Sequence, residues 1–250
     1  MTVCAGCNKE ESLVGSHIIP EFFYKYVYTN DHKFVEITPE NKDDLETKQK
    51  GLREPLLCRA CEQVFSKFEA ITADFVRQIS SGNLKSISVQ QLSPDILLIN
   101  KHNYDAIKRC LLSILWRASV SRLDTFSEYD LAAHSDRVKS ICFGNSSIPW
   151  HQYPIVVTKL KLGNLKTVQL MMLHRPGNYK NKTLYSMTLA GFNFDFFVDD
   201  DFADKEAELI SMKPQDMAIR SIQLNDLNVS EGFLDRFKDD DVRIFYEKHK

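Results

Sequence analysis

Two Cys-x-x-Cys pairs in the N-terminal third of the chain constrain its fold more than any other feature. Cys4 and Cys7 form the first pair, and Cys58 and Cys61 form the second. Two such pairs supply the four thiolates of a tetrahedral zinc site, which cross-links a segment that lacks a large core. The alternative is that these cysteines are core-packing or redox residues. We expect one structural Zn²⁺ on the four sulfurs.

The other two cysteines give no sign of a metal site. Cys110 and Cys142 stand alone within apolar, helix-like segments, which is where buried free thiols are normally found. We therefore assign them to the core.

Composition is that of an ordinary globular protein. The chain has 250 residues, of which 43% are hydrophobic and 26% charged, so it can form one large domain or two small ones. No apolar run approaches the roughly 18 residues of a membrane span, and the first residues lack the pattern of a signal peptide. We expect a cytoplasmic protein without membrane contact, in a compartment where paired cysteines bind metal rather than form disulfides.

The charge balance limits how nucleic acid can be bound. The net charge of −2 creates no overall field that attracts phosphates. Binding would require a local basic patch, and five basic side chains gather around the second cysteine pair: Lys48, Lys50, Arg53, Arg59 and Lys67. They are candidate phosphate contacts, although a solvated charged loop explains them almost as well.

Hydrophobic periodicity predicts an α+β protein. Helical spacing is found over 21–28, 61–79, 105–123, 128–143 and 231–248. Strand patterns are found over 34–37, 154–162, 165–174 and 184–198. The turn-like residues 80–83 suggest a zinc-binding domain at 1–80 and an α+β domain of unknown role at 81–250. The second domain would be helical to about 144, followed by an antiparallel meander and a terminal helix.

The segment between the two cysteine pairs resembles a known enzyme family. Residues 16–20 read Ser-His-Ile-Ile-Pro, and residues 56–62 read Leu-Leu-Cys-Arg-Ala-Cys-Glu. Over roughly residues 1–75 this combination resembles the HNH, or ββα-metal, endonucleases, and within them a group of bacterial HNH-like proteins. The resemblance implies a treble clef, in which the second cysteine pair opens a helix. It also implies cleavage of DNA, with bacterial defence as the setting.

Particular residues acquire roles from the resemblance. His17 would be the general base, Glu62 a ligand of a catalytic Mg²⁺ or Mn²⁺, and Ser16 would stand where the family usually has Asp or His. Glu69, on the same helical stripe as Glu62, would be the second carboxylate. These residue types suit phosphodiester hydrolysis, which needs a base with a near-neutral pKa and a hard cation. The zinc would be structural.

The chain also departs from the family pattern. Ser16 is a poorer metal ligand than Asp, and Arg53 stands where an Asn is expected, with Gln49 as a possible substitute. His17 could instead cap its loop or pack under Pro20, and the two glutamates could simply solvate their helix.

Three functions therefore stay open. The first is a metal-dependent HNH endonuclease. The second is a catalytically degenerate treble-clef module that binds nucleic acid or a protein partner. The third is an interaction or sensor protein that acts through residues 81–250.

Overall fold

The N-terminal region is built around a strand pair that leads directly into a long helix. The computed structural model describes residues 2–36, 46–161, 171–179, 181–198 and 205–226. The elements of this region are β1 (Thr2–Val3), β2 (Glu10–Glu11), β3 (Leu13–His17), α1 (Glu21–Tyr24), β4 (Phe34–Glu36), β5 (Glu46–Lys48), β6 (Arg53–Cys58) and α2 (Arg59–Ser81). Three antiparallel pairs result, β1 with β2, β3 with β6, and β4 with β5.

The pairing of β3 with β6 positions the residues of interest. Leu13 lies opposite Cys58 and His17 lies opposite Arg53, with a register shift between Val14 and Gly15. The shift adds one residue to β6 and keeps both strand ends in register with their partners. The end of β3 that carries His17 is therefore fixed against the start of β6.

Helix α2 confirms the predicted helix over 61–79 and extends it slightly. Its buried side chains fall on the predicted face and include Cys61, Phe65, Phe75 and Ile79. It ends at Gly82, which has φ 70° and donates its N–H to the carbonyl of Gln78. A left-handed glycine of this kind is a common helix terminator.

Helix α1 is shorter than the predicted helix over 21–28. It ends at Tyr24. The next turn is closed by hydrogen bonds between residues three apart, from Tyr26 N–H to Phe23 O and from Val27 N–H to Tyr24 O. Such i→i−3 bonds replace the α-helical ladder at a helix end. Phe23 and Tyr24 are buried in the process.

The described residues after α2 form three α-helices and a large sheet. The elements are β7 (Ser88–Ser93), β8 (Ile96–Asn100), α3 (Tyr104–Val120), α4 (Ser135–Phe143), β9 (Ile155–Lys161), β10 (Met172–Leu173), β11 (Gly177–Tyr179), β12 (Lys182–Leu189), β13 (Phe192–Val198), α5 (Lys205–Ile210) and β14 (Asp216–Gln223). Short 3₁₀ turns lie at Asp124–Phe126, Ala132–His134 and Leu224–Asp226.

The antiparallel pairing expected of the C-terminal strands is present between β12, β13 and β9, but the sheet as a whole is mixed. Its order is β10-β12-β13-β9-β14-β8-β7, with β11 added beside β12. Strand β14 runs parallel to β9, with Ile219 opposite Val157, and antiparallel to β8. Strands β7 and β8 also lie in the stretch that was expected to be only helical. The sheet therefore draws strands from both sides of α3 and α4.

Local backbone conformation explains two smaller differences. The predicted helix over 128–143 forms only from Ser135, since Ala132 has φ 44° and cannot continue an α-helix. The predicted strand over 184–198 is a hairpin that turns at Ala190 and Gly191, with φ 53° and 78°. Two consecutive positive φ angles are typical of type I′ hairpin turns. The predicted helix over 231–248 and residues 165–170 lie outside the described residues.

One hydrophobic cluster joins the two regions. It includes Phe23 of α1 and Phe194 of β13, whose ring centroids are 6.1 Å apart in an edge-to-face arrangement. The proposed division at residue 80 stays a prediction. Among the helices of the described ranges, none has both the length and the apolar character needed to cross a bilayer.

The hairpin turn yields the first testable prediction. A Gly191→Ala substitution places a Cβ at φ 78° and should lower the free energy of unfolding by about 1–2 kcal/mol. Urea unfolding measures the change. Gly177→Ala is the matched control, because nothing lies within 4 Å of its added Cβ. Equal stability of the two variants would contradict the turn assignment.

Candidate metal centre and the residues around His17

The four paired cysteines meet at one point. Their sulfurs all lie within 4.8 Å of one another, and Cys7 Sγ is 3.9 Å from Cys58 Sγ. Tetrahedral zinc with Zn–S bonds of about 2.3 Å separates its sulfurs by about 3.8 Å. Within the described ranges, no other set of three or more His, Cys, Asp or Glu side chains has this spacing. Cys4, Cys7, Cys58 and Cys61 can therefore hold a metal ion such as zinc.

Backbone N–H groups around the centre stabilise the thiolate of Cys4, whereas burial raises the pKa of Cys61. Cys58 N–H donates to Cys4 Sγ at 3.1 Å, and Ala5 N–H donates to the carbonyl of Leu56 at 3.1 Å. Burial raises the pKa of Cys4, but the N–H groups of Cys58, Cys7 and Gly6 outweigh it and lower the pKa to about 7. The two hydrogen bonds from Cys58 N–H and Ala5 N–H connect the loop that carries Cys4 and Cys7 to the end of β6.

Gly6 is required by the crowding of the centre. A Cβ on this residue would lie 2.7 Å from Cys61 Sγ and 2.9 Å from Phe143 Cζ. Both distances are shorter than van der Waals contact, so any side chain here would displace a sulfur. Gly15, in contrast, has nothing within 4 Å of an added Cβ.

His17 lies at the end of β3 in contact with two charged groups. Its Nε2 is 2.7 Å from Arg53 Nε and 2.8 Å from Glu21 Oε2. Tyr28 Oη donates to Glu21 Oε1 at 3.0 Å and so fixes the carboxylate from its other side. The imidazole is 21% exposed. It is therefore reachable from solvent but held by the protein.

The surroundings of His17 favour its neutral form. Burial is the main cause of a lowered pKa, and the charge of Arg53 adds to it, while Glu21 acts in the opposite direction. A neutral imidazole at physiological pH carries the lone pair that a general base needs.

A buried arginine holds the backbone at His17 in place. Arg117 of α3 is fully buried and donates to the carbonyl of His17 at 2.6 Å and to Glu69 Oε1 at 3.0 Å. Its Nε also donates to the carbonyl of Ser113. Glu69, expected to be the second metal carboxylate, is therefore engaged in an ion pair that neutralises a buried charge. Its role as a metal ligand stays a prediction, with Oε1 already engaged.

Ser16, the other candidate beside the catalytic metal, also has an internal partner. It is 1% exposed, and its hydroxyl accepts the N–H of Leu57 at 3.1 Å across the strand pair. A buried hydroxyl with this partner cannot turn toward a solvated cation without leaving an N–H unsatisfied. Ser16 instead helps to join β3 to β6.

The role of Glu62 as a ligand of a catalytic ion stays a prediction. Glu62 lies in the first turn of α2, next to the cysteine centre, and its Oε1 is buried without a hydrogen-bond partner within the described structure. Buried carboxylate oxygens normally have a partner, and a bound cation would supply one. His17, Glu62 and Glu69 do not form a set of ligand atoms within 4.8 Å of one another.

Arg53 is the basic residue that the structure brings to His17. Lys50, Arg59 and Lys67 are exposed, and Lys48 is half-buried on β5. Arg53 stands at the position where the resemblance leads one to expect Asn, and its guanidinium contacts the His17 imidazole. Gln49, the suggested substitute for Asn, is exposed.

Sequence reasoning did not identify Glu21, Tyr28 or Arg117. The i,i+4 spacing of His17 and Glu21 was a usable signal, but Pro20 between them suggested separate elements. Arg117 lies in an apolar helix, 100 residues along the chain from its partner, the His17 carbonyl, so no local pattern connects the two.

Comparisons with known proteins returned no family model, no curated protein and no solved structure that matches this chain.

The metal centre predicts about one zinc per chain by elemental analysis. Cys58→Ser should lose the zinc and destabilise the N-terminal region, because the metal supplies the cross-link between the Cys4–Cys7 segment and the junction of β6 with α2. Cys110→Ala, at a core cysteine, should keep its zinc. The assignment would be contradicted by purified wild-type protein that contains no zinc, or by a Cys58→Ser variant whose fold and stability are unchanged.

The crowding at Gly6 predicts that a side chain at this position weakens zinc binding without abolishing it. Gly6→Ala should weaken zinc retention about 10-fold to 100-fold, as is usual when a ligand's support is disturbed. Competition with a chromogenic chelator measures this loss. Gly15→Ala should behave like the wild type, and equal zinc retention in both variants would argue against the described packing.

Proposed function

We propose that this protein is an HNH-type endonuclease that hydrolyses phosphodiester bonds in DNA with His17 as general base. The observation that carries the proposal is the placement of a neutral, partly exposed histidine between Arg53 and Glu21, on a strand pair that leads directly into α2. Two strands followed by a helix is the order expected of a ββα unit, and the four cysteines lie where β6 meets α2. The resemblance of residues 16–20 and 56–62 to the family points the same way.

The chemistry follows from the side chains present. His17 takes a proton from water, the resulting hydroxide attacks phosphorus, and the bond to the leaving oxygen breaks. Arg53, with a planar guanidinium beside the base, binds the phosphate oxygens. Arg117 keeps the His17 carbonyl fixed, so that the imidazole stays in position.

A divalent ion fits only part of the expected ligand set. Glu62 would hold Mg²⁺ or Mn²⁺ through its unpartnered oxygen, and such ions often bind through one or two carboxylates and keep several waters. When bound, the ion would offset negative charge on the scissile phosphate. Ser16 and Glu69 are not part of this proposal, because both have internal partners.

The same internal contacts favour a second candidate. If Ser16 and Glu69 mark a site that has lost its metal, the chain is a catalytically degenerate zinc module that binds nucleic acid or a protein partner. Its exposed Lys50, Arg53 and Arg59 would then contact phosphates without cleavage.

Removal of the base separates these candidates. His17→Ala should lower the rate of plasmid cleavage with Mg²⁺ or Mn²⁺ by about 10²–10⁴-fold, the usual contribution of a positioned general base. DNA binding should survive. His134→Ala, in a 3₁₀ turn beside Tyr153, is the matched control. A wild-type protein that binds DNA yet never cleaves it with Mg²⁺, Mn²⁺, Ni²⁺ or Co²⁺ would establish the binding module instead.

Loss of Glu62 should resemble loss of the ion. Glu62→Ala should require a much higher Mn²⁺ concentration for cleavage, while its zinc content and thermal midpoint stay near those of the wild type. Glu128→Ala removes another carboxylate, one that pairs with Arg175, and serves as the control. If Glu62 only favours the helix N-terminus, the variant loses about 0.3–1 kcal/mol of stability and its Mn²⁺ dependence is unchanged.

A further inference from the structure

Two groups compete for one nitrogen of His17. Arg53 Nε is only a donor, so its contact with Nε2 at 2.7 Å requires a lone pair on that nitrogen. The Glu21 carboxylate is only an acceptor. Its Oε2 lies 2.8 Å from Nε2 and has no hydrogen bond within the described residues, so a hydrogen bond between them requires a proton on Nε2. A neutral imidazole has one N–H and one lone pair. The two hydrogen bonds are therefore alternatives and belong to different tautomers.

The two tautomers differ in their ability to act as a base. When Arg53 donates to Nε2, the proton lies on Nδ1 and the only lone pair is occupied. When Nε2 carries the proton and donates to Glu21, the lone pair lies on Nδ1 and is free to accept a proton from water. We call the tautomer that pairs with Arg53 masked, because its lone pair is occupied. We call the tautomer that pairs with Glu21 active, because its lone pair can accept a proton.

We infer that Arg53 is a phosphate-sensing residue that masks His17 in the free protein and releases it when a phosphodiester binds. This inference rests on the proposed function and deepens it. A guanidinium binds a phosphate through two charge-assisted hydrogen bonds, which are stronger than one bond to a neutral imidazole. The phosphate therefore draws Arg53 away from Nε2.

The neighbours of His17 are arranged to complete the exchange. Glu21 is held at Oε1 by Tyr28, and its Oε2 already faces Nε2, so the acceptor is in place when Arg53 leaves. The proton on Nδ1 passes to water, and Nε2 takes a proton from water. Arg53 has room to move, because 42% of its side chain is exposed and its contact with Glu21 is long, at 3.9 Å.

Nitrogen NMR on protein labelled with ¹⁵N-histidine tests the inference without any cleavage. Spectra are recorded without divalent ions, before and after addition of inorganic phosphate. We expect the His17 proton on Nδ1 in the free protein and on Nε2 at saturating phosphate. Failure of the endonuclease proposal would show as absent cleavage, whereas failure of this inference would show in the tautomer.

Two variants complete the experiment. Arg53→Ala should carry the proton on Nε2 without phosphate and should not respond to it. Arg77→Ala removes the same charge from an exposed position on α2 whose partner is Asp74, and should respond like the wild type. A free wild-type protein with the proton on Nε2, or a tautomer that phosphate does not change, would overturn the inference. So would an Arg53→Ala variant that keeps the proton on Nδ1.

Discussion

The convergence of four sulfurs on one point is the constraint on which the site depends. Cys4 and Cys7 lie before β3, and Cys58 and Cys61 lie at the junction of β6 and α2. Joining them fixes the register of β3 against β6, and that register places His17 opposite Arg53. Because the intervening segment is long, the chain entropy of closing it is substantial without a cross-link. A metal at this centre would therefore stabilise the geometry at His17 without touching the imidazole.

A second constraint reaches the site from the other region of the chain. Arg117 brings a fully buried charge from α3 to the His17 carbonyl and to Glu69. Removing one partner of such a pair typically costs about 3–5 kcal/mol, because the other charge stays buried and unpaired, although the partial exposure of Glu69 reduces this figure. Together with the contact of Phe23 with Phe194, this network makes the histidine strand part of a larger folded body. Residues beyond 80 thus support the site directly.

The sequence predicted the features that rest on local patterns and missed those that rest on long-range pairing. The cysteine pairs and the helices near 61–79 and 105–123 follow from spacing and periodicity. The parallel pairing of β14 with β9, and the contact of Arg53 with His17, join segments far apart in the chain and leave no local signal. Strand β8, with its run Ile-Leu-Leu-Ile, did carry a signal that was overlooked. Ser16 and Glu69 were assigned from their positions in the sequence, and position does not reveal that both have internal partners.

The central claim is that the cysteine centre presents His17 and Glu62 to a phosphate group and its counter-ion. Anomalous diffraction from crystals grown with Mn²⁺ and a non-hydrolysable DNA duplex tests it most directly. Data above the zinc edge should show one peak among the four sulfurs. Data collected between the manganese and zinc edges, where zinc contributes little anomalous signal, should show a peak at Glu62, with a DNA phosphate against Arg53 and His17. A duplex bound elsewhere, or manganese absent from Glu62 with the phosphate in place, would contradict the account.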